Sequence, residues 1–191
     1  MKSSNKKLKN NIPNWLRKSR EGWRYNGGHR PPFAENTQAW QVSVWDFPRP
    51  PALQKVAQKL EVYLKDVLIA KTLQGVAVLE TASPPTYYIP PIEVNTEFLA
   101  PISNKSSLCE WKGKACYWAL KENPIKPVAW SYENPFSPYE SLQGYFAFYP
   151  QHLSCFVDGE KVTPQPGGFY AGWITKNLTG PFKGNPGTGH W

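Results

Sequence analysis

The stretch LQKVAQKLEVYLKDVLIA, Leu53 to Ala70, decides how the rest of the chain is read. Val56, Leu60, Tyr63, Leu64, Val67 and Leu68 recur at helical spacing, which is the pattern of an amphipathic helix. The same residues also fit a hairpin. Leu60, Val62 and Leu64 alternate, Lys65 and Asp66 suit a turn, and Val67 to Ala70 can return as a second strand. Pattern alone leaves both readings open.

The flanks favour strands. Glycine and proline together make 34 residues and aromatics make 28, a mixture that suits short strands and tight turns better than a helical bundle. Upstream, RPPF (Arg30 to Phe33) and PRPP (Pro48 to Pro51) bracket an extended lead-in whose Trp40, Trp45 and Phe47 are expected to strap it onto the body. Downstream, Val76 to Leu79, Tyr87 to Ile89, Tyr117 to Leu120, Val128 to Tyr132 and Cys155 to Val157 read as strands. Asp158-Gly159 reads as a hairpin turn, because both residues tolerate positive φ. Pro138 to Phe146 is the one good helix candidate beyond the middle, with Ser137 as its cap and Tyr139, Leu142 and Phe146 on one side. The expectation is one compact antiparallel β domain over residues 30–191 with one or two short helices, behind a basic, extended and partly disordered tail over residues 1–29.

The net charge of +8 resides in residues 1–30, that tail together with Arg30. Residues 1–30 hold nine Lys or Arg against Glu21 alone, and the body carries equal numbers of each sign. A solvated tail explains this more simply than specific nucleic-acid recognition. Asn10, Asn11 and Pro13 fall where a secretory apolar run would stand, and no window is long and apolar enough to span a membrane. Cys109, Cys116 and Cys155 are an odd number, which favours reduced thiols and a cytoplasmic location. They form no Cys-x-x-Cys pair, and His29, His152 and His190 have no ligand-like spacing, so no metal or cofactor is expected.

Several long motifs then fall in order: VWDFPRPP (Val44 to Pro51), VLETASPPTYYIP (Val78 to Pro90), CEWKGKACYW (Cys109 to Trp118), AWSYENP (Ala129 to Pro135), GYFAFYP (Gly144 to Pro150), CFVDGEKVTPQPGGFYAGWIT (Cys155 to Thr175) and GPFKGNPGT (Gly180 to Thr188). Together they resemble the family called domain of unknown function 427, sometimes labelled nucleotidyltransferase-like, from about Arg30 to Trp191. The resemblance implies a compact β domain with LEVYL and VLIA as its first hairpin. It also suggests a fold similar to the β-tent group that includes the ligand domain of cereblon, whose pocket is a cage of tryptophans. Many relatives carry His where this chain has Ser83, so an acid–base role for that His does not carry over. The chemistry of nucleotidyl transfer is poorly served. Asp46, Asp66 and Asp158 are far apart in sequence, and Gly180 to Gly184 lacks the spacing and the hydroxyl residue of a phosphate-cradling loop.

The densest chemistry lies in Cys109-Glu110-Trp111-Lys112-Gly113 and the following Tyr117-Trp118. In an extended segment Glu110 and Lys112 would share one face, where burial could turn the lysine into a neutral base and the glutamate into a proton donor. The plainer alternative is a solvated ion pair at a strand end. Cys109 reads as an inert thiol unless a partner activates it. Tyr87, Tyr88, Trp111, Trp118, Trp130, Tyr132 and Trp173, with Tyr170, are candidate pocket walls around Lys112, set against ordinary core packing. Two functions stay open and a third is weaker. One is a module that binds an unidentified small molecule through an aromatic-lined pocket and a lysine anchor. Another is a cofactor-independent hydrolase or isomerase moving protons with Glu110, Lys112 and Tyr117. The third is a scaffold that docks a partner through the basic tail.

Overall fold

The computed structural model describes residues 13–191. A helix, α1 (Asn14–Glu21), leads to a short strand, β1 (Val42–Ser43), and then to β2 (Ala52–Lys55). Next come β3 (Leu60–Leu64), β4 (Val67–Thr72), β5 (Val76–Leu79) and β6 (Thr86–Tyr88). Three long neighbours follow: β7 (Leu99–Cys109), β8 (Gly113–Leu120) and β9 (Asn123–Tyr132). The chain closes with β10 (Phe146–Phe148), β11 (Ser154–Val157), β12 (Glu160–Lys161), β13 (Thr163–Pro164), β14 (Trp173–Ile174) and β15 (Leu178–Thr179).

Leu53 to Ala70 resolves into strands. Lys65 takes φ 54° at the turn, and β3 and β4 pair antiparallel with a bulge between Val62 and Tyr63. What decides against the helix lies far away in sequence: β11 pairs with the free edge of β3, setting Cys155 opposite Val62. A helix would leave that edge unpaired. The resulting sheet has the order β12-β11-β3-β4, and a second has the order β10-β9-β8-β7. A third, β2-β5-β6, reaches the second through a bridge between Ile89 and Phe146. β1 and β15 pair in parallel, and every other strand pairing is antiparallel. The main core joins Leu60, Val62 and Ile69 to Val128, Phe148 and Trp173.

The expected helix over Pro138 to Phe146 is instead a single 3₁₀ turn, Glu140–Leu142, and Ser137 does not cap it. Tyr139 donates its hydroxyl to the Pro51 carbonyl at 2.8 Å, and Leu142 is buried. Gly144 turns at φ 73° and donates to the Tyr132 carbonyl, after which Phe146 is committed to the sheet opposite Ser131. Ladder bonds from β9 outcompete the local helical pattern. In the lead-in, Trp45 and Phe47 are buried as expected, but Trp40 is exposed.

Of the segment read as a tail, residues 13–29 are described. Leu16 of α1 is 1% exposed, a burial worth about 1.5–3 kcal/mol. Tyr25 packs edge-on against Trp45, which also contacts Phe33 and Trp191.

Candidate functional site

Glu110, Trp111 and Lys112 form the turn between β7 and β8, closed by the pairing of Cys109 with Gly113. Gly113 has φ 105°, and the Phe136 amide donates to the Lys112 carbonyl at 2.9 Å, fixing the turn from outside. The alternation expected of an extended Cys109-to-Gly113 segment therefore fails. Because the chain reverses here, Cys109, Glu110, Trp111 and Lys112 all line one cavity of about 260 Å³.

Aromatics from three places make its walls. Tyr88 comes from β6, Tyr117 from β8, and Trp130 and Tyr132 from β9. Trp130 Nε1 donates to Tyr88 Oη at 3.2 Å, and Tyr117 shares a hydrogen bond of 2.8 Å with Ser107. Burial pushes the Tyr88 phenol up to about 12 and holds Tyr132 and Tyr149 well above the usual phenol range. These phenols are neutral hydrogen-bonding groups at physiological pH.

Sequence reasoning placed Tyr88, Trp111, Trp130 and Tyr132 with Glu110, Lys112 and Tyr117, and all seven line the cavity. Tyr87, Trp118 and Trp173 do not. Tyr87 lies on the opposite side of β6 from Tyr88, with its ring centroid 5.2 Å from that of Trp173. Trp118 donates to Ser131 Oγ and packs on Phe146, while Trp173 donates to the Phe148 carbonyl in the core.

Lys112 is 8% exposed, and among the described residues no carboxylate lies within 4 Å of its ammonium. Burial disfavours its charge, and electrostatic attraction to Cys109, Tyr88 and Glu80 opposes that effect, in a direction above the usual lysine range. That direction favours the ammonium over the neutral amine. The nearby acids are engaged elsewhere. Glu80 pairs with Arg49 at 3.2 Å, and Glu110 Oε1 accepts from Trp23 Nε1 at 3.0 Å.

Among the lining residues that sequence reasoning missed, two carry the most chemistry. Lys183, from the glycine-flanked PFKG stretch, is 3% exposed; its Nζ is 3.9 Å from the Trp23 ring centroid and donates to the Trp191 carbonyl at 3.2 Å. Burial lowers it to about 8, with Arg49 adding to the fall and Glu80 and Glu110 opposing it. Trp23 forms a wall from the N-terminal side, its ring also 4.0 Å from the Arg49 guanidinium, while Arg20 donates to the Glu110 carbonyl at 2.7 Å. A lysine between glycines was the only local signal for the first. A tryptophan in a basic segment gave none for the second.

The model of the domain of unknown function 427 family matches residues 52–162, more than half of the chain. The chain belongs to that family. The matched region contains Glu80, Tyr88, Cys109, Lys112 and Trp130, whereas Trp23, Tyr170 and Lys183 complete the same cavity from outside it. Among curated proteins none matches the chain. Among the described residues no group of three His, Cys, Asp or Glu is placed to hold a metal ion, and no helix is long and apolar enough to cross a membrane.

Proposed function

We propose that this chain is a small-molecule-binding β domain whose aromatic cavity takes a small anion at Lys112. The observation that carries the reading is a lysine only 8% exposed, on the wall of a cavity, with no carboxylate within 4 Å of its ammonium among the described residues. A buried charge left unpaired is costly, and an anionic ligand would supply the missing partner. The neighbouring carboxylates do not compete for that role, because Arg49 and Trp23 already hold them. Trp111, Trp130, Tyr88 and Tyr132 offer π faces and hydroxyl groups, which suit a planar ligand with one charged end.

The test is thermal melting and intrinsic tryptophan fluorescence across small aromatic carboxylates, each beside its neutral amide. Carboxylates are expected to raise the melting temperature of the native chain and the amides are not. Lys112→Met is expected to abolish the difference, and Trp130→Ala to weaken it. Equal responses to acid and amide would remove Lys112 as the anchor.

A further inference from the structure

The chain holds three thiols in three different surroundings. Cys155 is buried in the core, where desolvation holds the thiol well above its usual range. Cys116, at the register position opposite Ser131 on β8, is also raised, by desolvation and by the Glu133 carboxylate. Cys109 differs from both. It is half-buried on the cavity wall at the mouth of the β7–β8 turn, and Lys112 lines the same cavity. The sulfur of a half-buried cysteine on that wall is open to a ligand in the cavity, and cysteine is the intrinsically strongest nucleophile among the side chains lining it.

We propose that Cys109 is the nucleophile of this cavity and that its partners are small anionic carbon electrophiles delivered by Lys112. The anion's charged end pairs with the ammonium while its electrophilic carbon meets the sulfur. In the substitution case a sulfur–carbon bond forms, the bond from carbon to the leaving group breaks, the leaving group departs with the electron pair, and the thiol proton passes to water. The proposal rests on Lys112 as the anion anchor and goes beyond it by adding covalent chemistry. A cysteine alone would not carry it. The second observation is the Lys112 side chain on the same wall, 8% exposed and with no carboxylate within 4 Å among the described residues, which points to an anion at that place.

Iodoacetate and iodoacetamide make the test, because they deliver the same carbon and the same leaving group and differ in charge. The whole native chain is treated with limiting amounts of each, and the three cysteines are read by peptide mapping. The expected result is that Cys109 reacts first, that iodoacetate exceeds iodoacetamide at Cys109 but not at Cys116, that benzoate slows the Cys109 reaction, and that Cys155 stays unmodified. In Lys112→Met the iodoacetate preference at Cys109 is expected to fall about tenfold, the scale of one charge-assisted contact. Should that variant not fold, the comparison of Cys109 with Cys116 in the native chain decides alone. Iodoacetate reacting no faster than iodoacetamide at Cys109, or Cys116 reacting ahead of it, overturns the proposal. The two ideas separate cleanly. A melting shift with benzoate but no reaction at Cys109 sinks the nucleophile and leaves the binding site, whereas no benzoate shift and no charge preference sinks both.

Discussion

Lys112 and Lys183 line one cavity and are driven in opposite directions, so the same residue type serves two purposes a few side chains apart. Burial presses the Lys112 value down, while Cys109, Tyr88 and Glu80 press it up, with a net direction above the usual lysine range. Lys183 loses ground because desolvation comes first and Arg49 adds to it, with Glu80 and Glu110 giving only partial relief. The lowered value has a consequence for stability. Between about 8 and 10.5 the folded chain binds fewer protons at Lys183 than the unfolded chain, so this residue makes stability rise with pH across that window. Below it, the charged folded lysine costs roughly 3 kcal/mol at most. Lys183→Met is therefore expected to gain stability relative to the native chain below pH 8 and to lose that advantage towards pH 10, as read by urea denaturation at each pH. A stability difference that stays flat across that range would show that Lys183 is not the titrating group. Of these two residues, Lys112 was legible in the sequence because Glu, Trp and Lys crowd around it. Lys183 was not, since its burial depends on Trp23 and Tyr170, neither of which is near it in sequence.

The β7–β8 turn is the element on which the site depends. Gly113 sits at φ 105°, and an added Cβ would come within 3.4 Å of the Asn134 carbonyl oxygen and the Phe136 amide nitrogen. Gly113→Ala is expected to cost about 1–3 kcal/mol in chemical denaturation and to blunt the iodoacetate preference at Cys109, since it displaces Lys112. A stability loss that leaves that preference intact would separate the turn from the site. The turn itself was hidden, because Cys-Glu-Trp-Lys-Gly carries no strong two-residue turn signal and reads equally well as extended chain. β7 was hidden for a related reason. Its Asn104-Lys105-Ser106-Ser107 run is polar, as befits the edge strand of its sheet, and Asn104 at φ 62° falls at the irregularity between Pro101 and Ser106. Of the β3–β4 and β11–β12 hairpins, the second was easier. Asp158-Gly159 marks it by local chemistry, whereas Lys65-Asp66 only permits the first, which the family resemblance favoured and the pairing of β11 with β3 decides.

At the scale of the whole molecule, the cavity is assembled from segments far apart in the chain, and Trp23, just beyond α1, forms one side of it. Trp23 is held by Glu110, Arg49 and Lys183, and Arg20 adds a cation over the Trp111 ring at 5.1 Å. Trp23→Ala is expected to open that side. Alkylation of Cys109 by iodoacetamide should quicken severalfold while Cys155 stays protected, and unchanged kinetics at Cys109 would mean that Trp23 does not limit access. The sequence by itself determined the β class, the hairpin at Asp158-Gly159, the family resemblance and the cluster around Lys112, because those rest on composition, turn chemistry and motifs that lie within a few residues of one another. Only the tertiary structure decided that β11 pairs with β3, that Pro138 to Phe146 stops after one turn, and that Trp118 and Trp173 serve the core while Trp23 and Lys183 serve the cavity. Each of those outcomes depends on which distant partner satisfies a backbone edge or buries a ring, and a local pattern carries no record of that partner.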